Sequence, residues 1–231
     1  NNLDVNKKYI CFSGDDETTS PLDQYYLEDL AIAVRSLNNK GENLGIIYRK
    51  CPVDFTTRYD KVVKDYSDVI VKIDPIWKQV GKQWNQVLPA KEDFEMLVNV
   101  CYHSEMVTNV CSSTVFDFVA HNKPCIYYNY EQPQLKKGIR DIGQNYKYVH
   151  FRSMPTKEAA VFCETKSQLE AKVNEYLSLV MKLIFAFGLE STLYPFSLRK
   201  FIIVFLPTFN FLDIWPNLSV LFSIIFYSNS F

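Results

Sequence analysis

Glu105-Met106-Val107-Thr108-Asn109-Val110-Cys111, then Ser112-Ser113-Thr114-Val115-Phe116-Asp117-Phe118, then Lys123-Pro124-Cys125-Ile126-Tyr127-Tyr128-Asn129-Tyr130 reads as strand, hydroxyl turn, helix and strand. A helix that starts at the carboxyl end of a parallel strand turns its unpaired N–H groups and positive dipole end toward the ligand crevice of the sheet. With Ser112 as the cap, Ser113 and Asp117 fall four residues apart on one helix face. Phosphate oxygens can then sit on hydroxyls and amides while Asp117 accepts hydrogen bonds from a ribose. A charge-assisted hydrogen bond is worth about 1.5–3 kcal/mol and the dipole only about 0.3–1 kcal/mol, so discrete donors would dominate such binding. The same segment is also compatible with an ordinary capped crossover helix.

Working outward, Tyr9-Ile10-Cys11-Phe12 is a first strand that delivers Ser13-Gly14-Asp15-Asp16 to the same sheet edge. Ser20-Pro21 begins a helix carrying Leu27, Leu30, Ala31 and Val34, and Asn38-Asn39-Lys40-Gly41 ends it. Leu44 to Tyr48 is a second strand, followed by Arg49-Lys50-Cys51-Pro52. A short helix is expected around Tyr59 to Tyr66, and a third strand over Asp68 to Pro75. Ile76 to Ala90 has no period and reads as loop, whereas Phe94, Leu97, Val98 and Cys101 mark the core face of a helix beginning near Glu92. Ala159 to Cys163 forms a last strand, and Ser167-Gln168-Leu169-Glu170 is a capping box for a helix to about Leu177. This alternation predicts an α/β, Rossmann-like, doubly wound parallel sheet over residues 1–177. Right-handed crossovers place all the loops named above on one edge.

The chain has 231 residues, 48% of them hydrophobic, which is ample for a core. A formal net charge of -1 argues against general affinity for nucleic acid, since no positive excess exists to displace counterions. The six cysteines include no Cys-x-x-Cys pair and suit buried free thiols in a reducing cytosol. His103, His121 and His150 stand apart from any cysteine at ligand spacing, so neither a metal nor a cofactor is expected. Asn1 to Lys8 is too polar for a signal peptide, and with no initial Met the chain reads as an internal piece. Residues 178–231 change character, with Phe, Ile, Leu, Ser and Asn dominant and charge nearly gone. Pro207, Asn210, Asp213 and Pro216 interrupt any span from Phe201 to Tyr227, so the tail reads either as membrane-associated or as aberrant translation appended to the domain. The expected location is cytoplasmic, with peripheral association at the inner membrane face as the second reading of that tail.

From Lys8 to Leu177 the chain resembles the donor-binding half of GT-B type glycosyltransferases, above all bacterial enzymes of surface polysaccharide synthesis. The CDP-glycerol glycerophosphotransferases, with a similar Ser-Ser-x-x-x-Asp element, are more distant. The resemblance is carried by Cys101 to Asn109, Ser112 to Phe118 and Asn122-Lys123-Pro124, with Tyr48 to Pro52 and His150 to Pro155 in support. It implies a nucleotide-sugar donor held between two Rossmann-like domains, with the acceptor on an N-terminal domain that this chain lacks, and hence no activity in this fragment. It further implies that Ser112, Ser113 and Thr114 hold the diphosphate and Asp117 the ribose. Ser13 and Gly14 would line the opposite wall, and Arg49 would neutralise phosphate charge, the alternative for Arg49 being a solvated strand end. Arg152 and His150 fit surface positions better. Many members of this group carry Glu where this chain has Asp117, so its helix must approach the ribose more closely.

Three other functions compete. Asp15-Asp16-Glu17 offers carboxylates for a GT-A type metal site, but an exposed acidic loop explains them as well. Asp15, Asp16, Ser112 and Lys123 mimic a phosphoacceptor receiver, although Lys123 precedes its strand where a receiver lysine ends it. The third is a non-catalytic nucleotide-sugar binding module, which no residue here separates from a transferase half. No Gly-x-Ser-x-Gly elbow or Cys/His pair supports hydrolase chemistry.

Overall fold

In the computed structural model, residues 3–81, 86–152 and 161–187 are described, the side chains of residues 150, 152 and 179–187 excepted. Six parallel strands form the main sheet: β1 (Lys8–Ser13), β2 (Leu44–Arg49), β3 (Ile70–Ile73), β6 (Ser104–Asn109), β7 (Cys125–Tyr128) and β8 (Val161–Cys163). Their spatial order is β3-β2-β1-β6-β7-β8. The order reverses between β1 and β6, which makes that junction the topological switch point where open α/β sheets bind ligands. The doubly wound, Rossmann-like class expected from the strand and helix alternation is the one observed.

The strands read as continuous apolar runs because both sheet faces are covered. Helices α1 (Asp23–Asn39), α2 (Asp60–Asp65) and α7 (Leu169–Phe187) pack together, with α1 touching both of the others. Helices α3 (Lys91–His103) and α4 (Val115–Ala120) touch each other and pack on β6. Alternate residues of β1 serve the two layers. Phe12 meets the Tyr48 and Tyr128 rings, with Tyr26 of α1 tilted against Tyr128, while Cys11 lies within electrostatic reach of Cys101 on α3. Two short helices, α5 (Ile142–Asn145) and α6 (Val149–Arg152), follow β7.

Several expectations need correction. Ile76 to Ala90 is not all loop: β4 (Trp77–Gln79) and β5 (Val87–Pro89) pair as an antiparallel hairpin. Each strand has only three residues, too few to show a period. On α3 the buried side chains are Asp93, Val100 and Cys101, whereas Phe94 and Val98 are exposed. The helix is rotated because Asp93 turns inward to meet Arg49. Helix α1 starts at Asp23 with Leu22 as its cap, and Ser20 instead donates to the Asp23 carboxylate at 2.9 Å. The Ser167 to Glu170 capping box does not form. Ser167 Oγ pairs with Thr165 Oγ1 at 3.0 Å and Glu170 with Lys40, so a 3-10 turn (Lys166–Gln168) opens α7. That helix runs past residue 178 to Phe187, and residues 188–231 lie outside the described ones, as do Ala159 and Ala160 of the expected last strand. Among the described residues no helix is long and apolar enough to cross a membrane.

Phe118 is wholly buried beneath α4. Phe118→Ala should lower unfolding free energy by about 3–5 kcal/mol, read as a fall in the urea midpoint at unchanged slope.

Candidate functional site

The switch point is organised by backbone register. In the β1 and β2 pairing, Ser13 stands opposite Arg49, so these strand-end residues project to the same side at the carboxyl edge. β6 pairs with the other side of β1, with Thr108 opposite Phe12, and Asn109 ends it. Asn109 is fully buried, and its side-chain oxygen accepts the Ser112 N–H at 2.9 Å. That bond folds the chain back immediately after the strand. The turn also forces Cys111 into the left-handed region at φ 50°, a conformation disfavoured for a residue with a Cβ and held here by the surrounding bonds.

Three hydroxyls converge there. Ser13 Oγ donates to Thr114 Oγ1 at 3.1 Å and lies 3.5 Å from Ser112 Oγ, while Ser112 Oγ and Thr114 Oγ1 are 3.0 Å apart. The Thr114 N–H points to Ser112 Oγ at 3.3 Å. Ser112 therefore closes the turn and does not cap α4. The cap position belongs to Thr114, whose side chain caps nothing. Ser113 is exposed outside the trio.

Beside the trio stands Arg49, 7% exposed. Its Nη2 donates to Asp93 Oδ2 at 2.8 Å, and its Nη1 is buried with no hydrogen-bond partner. It is thus not the solvated strand end that was the alternative. Asp93 collects two further donors, the Ile76 N–H at 2.8 Å and Trp77 Nε1 at 2.7 Å. Burial opposes its ionisation, but these bonds outweigh that cost and hold the carboxyl below its usual range. Asp117 is exposed on α4, and its carbonyl meets His121 Nδ1 at 2.9 Å. Desolvation by neighbouring protein raises its pKa, opposed by backbone bonding and by the charges of His121 and Arg49.

Gly14 is closely packed. Its N–H donates to the Arg49 carbonyl at 2.9 Å, and a Cβ would stand 3.0 Å from the Tyr48 ring and 3.3 Å from the Tyr59 hydroxyl. The missing side chain makes room for packed tyrosines, and the amide is already committed. Structure thus gathers Ser13, Ser112, Thr114 and Arg49, and leaves Ser113 and the Gly14 amide out. Arg152 and His150 belong to α6, and their side chains lie outside the described residues.

The acidic loop after β1 is internally satisfied. Fully buried Asp23 accepts the Asp15 N–H at 3.0 Å, Ser20 Oγ, and the Tyr59 hydroxyl at 2.6 Å. Arg58 ties down the same loop through the Asp15 carbonyl at 2.6 Å and the Ser20 carbonyl, anchored by Asp54 at 2.8 Å. Asp16 accepts the N–H groups of Thr18 and Thr19, at 2.8 and 3.1 Å. Among the described residues no group of three or more His, Cys, Asp or Glu side chains could hold a metal. Lys123 pairs with Glu105 at 3.9 Å, at the amino ends of β7 and β6, while Ser112 lies at the carboxyl edge. A receiver-type pairing of Lys123 with Ser112 is therefore excluded by the sheet.

The sequence reading missed Asn109, Asp93 and Arg140. Asn109, three residues before Ser112, carried an Asx-turn signal. Asp93 carried no signal, since an acid in the first turn of a helix is ordinarily a solvated one. Arg140 lies in the segment that follows β7, where it bonds Asn145 Oδ1 at 2.5 Å and the Tyr148 hydroxyl at 2.7 Å. Asn145 in turn donates to the Thr19 carbonyl at 2.9 Å, joining that segment to the β1 loop. A small cavity between them is lined by Ser20, Tyr26, Val110, Arg140 and Ile142.

No protein family matches the sequence, and no curated protein matches it either. Solved structures are similar to it at low identity. A Staphylococcus aureus MnaA–UDP co-structure is 16% identical with a TM-score of 0.42, over 76% of this chain and 40% of its own. The Candida albicans trehalose-6-phosphate phosphatase N-terminal domain is 12% identical at 0.49, over 87% and 38%. WaaG, a glycosyltransferase involved in lipopolysaccharide biosynthesis, is 10% identical at 0.40, over 76% and 39%. This chain thus spans 38–40% of the length of these three proteins. At such scores the likeness says nothing about ligand or chemistry.

Burial, and next the charge of Asp23, push the Asp15 carboxyl from 3.8 up to about 8. Between those values the folded state holds a proton that the unfolded state has released. The resulting stability is full below about pH 4 and is lost as pH rises through about 8. Asp15→Asn should therefore match the parent near pH 4 and exceed it by about 1–3 kcal/mol near pH 8.5, in urea titrations at both values.

Proposed function

We propose that the chain is the donor-binding half of a GT-B type glycosyltransferase and binds a nucleotide-activated sugar. The observation that carries this reading is the hydroxyl trio of Ser13, Ser112 and Thr114 beside a buried arginine with one unpartnered nitrogen, all at the switch point. Each hydroxyl can rotate its proton from a neighbouring hydroxyl to an incoming phosphate oxygen, so the trio converts from mutual bonding to ligand bonding without moving backbone. Arg49 Nη1 supplies the charged donor, worth more than any one hydroxyl. Asp117, exposed in the first turn of α4, is the acceptor for the ribose hydroxyls.

Asp93 already balances Arg49, so most of the diphosphate's charge is not neutralised within this pocket. Its remaining charge falls to groups outside the trio, and Arg140, whose charge is felt at Cys111 just before Ser112, is a candidate. Transfer of the sugar to a surface polysaccharide acceptor requires an acceptor-binding domain beyond these residues. In this reading Ser13, Ser112, Thr114 and Arg49 bind the diphosphate, and the general base belongs to that other domain.

Calorimetric titration of the chain with a UDP-, GDP- or CDP-linked sugar is the test. Arg49→Lys preserves the charge facing Asp93 but removes the forked donor, and should weaken binding of whichever donor binds by about tenfold. Asp117→Asn should weaken the nucleotide-sugar while leaving inorganic pyrophosphate unchanged. Undiminished donor affinity in Arg49→Lys would remove the proposed pocket.

A further inference from the structure

The role of Asp93 goes beyond that reading and rests on it. A buried arginine with a free nitrogen could swing among several neighbours. Arg49 cannot, because Nη2 is held at 2.8 Å by a carboxylate that is itself fixed from two other directions. The Ile76 N–H takes Asp93 Oδ1 at 2.8 Å, and Trp77 Nε1 shares Oδ2 with the guanidinium at 2.7 Å. Both donors come from the start of the β4–β5 hairpin. Asp93 itself sits in the first turn of α3, its own N–H bonded to the Ala90 carbonyl at 3.0 Å. One carboxylate thus fastens three elements: the end of β2, the hairpin and α3.

The geometry points to Asp93 as the positioning residue of the anion pocket: by clamping Nη2 between hairpin and helix it fixes the guanidinium plane, and with it the direction of Nη1, on the strand end that lies opposite Ser13. Trp77 is the outer brace of that clamp. The guanidinium fork is rigid, so fixing one nitrogen fixes the other.

This assignment makes an electrostatically unusual demand. If Asp93 were only a nearby negative charge, its removal would favour anions, and Asp93→Asn would bind pyrophosphate more tightly with a steeper salt dependence. If it aims Arg49, the same variant binds more weakly despite the gained positive charge.

The experiment is calorimetric titration of the full chain with inorganic pyrophosphate, at two salt concentrations, for the parent, Arg49→Lys, Asp93→Asn and Trp77→Phe, each first checked for a cooperative thermal melt. Asp93→Asn is expected to weaken pyrophosphate by about tenfold, and Trp77→Phe, which keeps every charge, by about two- to threefold. Tighter or unchanged binding by Asp93→Asn overturns the positioning role. Should that variant not fold, Trp77→Phe decides, and parental affinity in it is the overturning result. Weaker binding in Arg49→Lys with parental affinity in both other variants sinks this inference alone, whereas parental affinity in Arg49→Lys sinks the pocket and the inference together.

Discussion

Everything at the candidate site depends on β1 being hydrogen-bonded on both edges, by β2 on one side and β6 on the other. Parallel strands on either side of a reversal send their following chains to opposite faces, which opens a crevice between those two strands. The pairing also fixes register, and register alone puts Ser13 opposite Arg49. A slip of one residue would turn each of these side chains to the other sheet face. The apolar strand interiors prevent such a slip, since Ile10, Cys11, Ile46, Ile47, Met106 and Val107 are all fully buried.

Two buried polar networks then hold the two walls. On one, Asp23, Tyr59 and Arg58 immobilise the loop after β1 through its own backbone. On the other, Asp93 joins β2, α3 and the hairpin through Arg49, Ile76 and Trp77. Both use a buried carboxylate, and such a group is tolerated only when several donors surround it. Both networks close around a loop edge whose own hydroxyls bond only to one another and to turn amides. Rigid walls around rotatable donors are what a site for an anionic ligand requires, because the ordering cost is met on folding.

Much of the fold was legible. Apolar runs in β1, β2, β6 and β7, separated by helical spacing in α1 and by turn residues, identified a doubly wound sheet with its loops on one edge. What escaped was short or polar. β4 and β5 are too brief for a period, and α3 has two plausible faces, of which the more apolar one, Phe94 and Val98, is exposed because Asp93 claims the interior. The hydroxyls of the turn were visible as residue types, but their grouping with Ser13 needed the register, which sequence does not contain. Gly14 was ambiguous because a glycine at a strand end serves ligand approach and ring packing equally well; here Tyr48 and Tyr59 stand where its side chain would be. Ser112 misled through its neighbourhood, since Asn109 pulls its amide back to the strand and passes the helix start to Thr114.

The central claim is that the Ser13, Ser112, Thr114 and Arg49 cluster receives the diphosphate of a nucleotide-sugar. A crystal structure of the chain grown with UDP-N-acetylglucosamine tests it most directly. The account requires diphosphate oxygens within about 3.2 Å of Arg49 Nη1 and of at least two of the three hydroxyls, which would then no longer bond one another. A diphosphate bound elsewhere on the chain, with the Ser13 to Thr114 hydrogen bond intact, would contradict it.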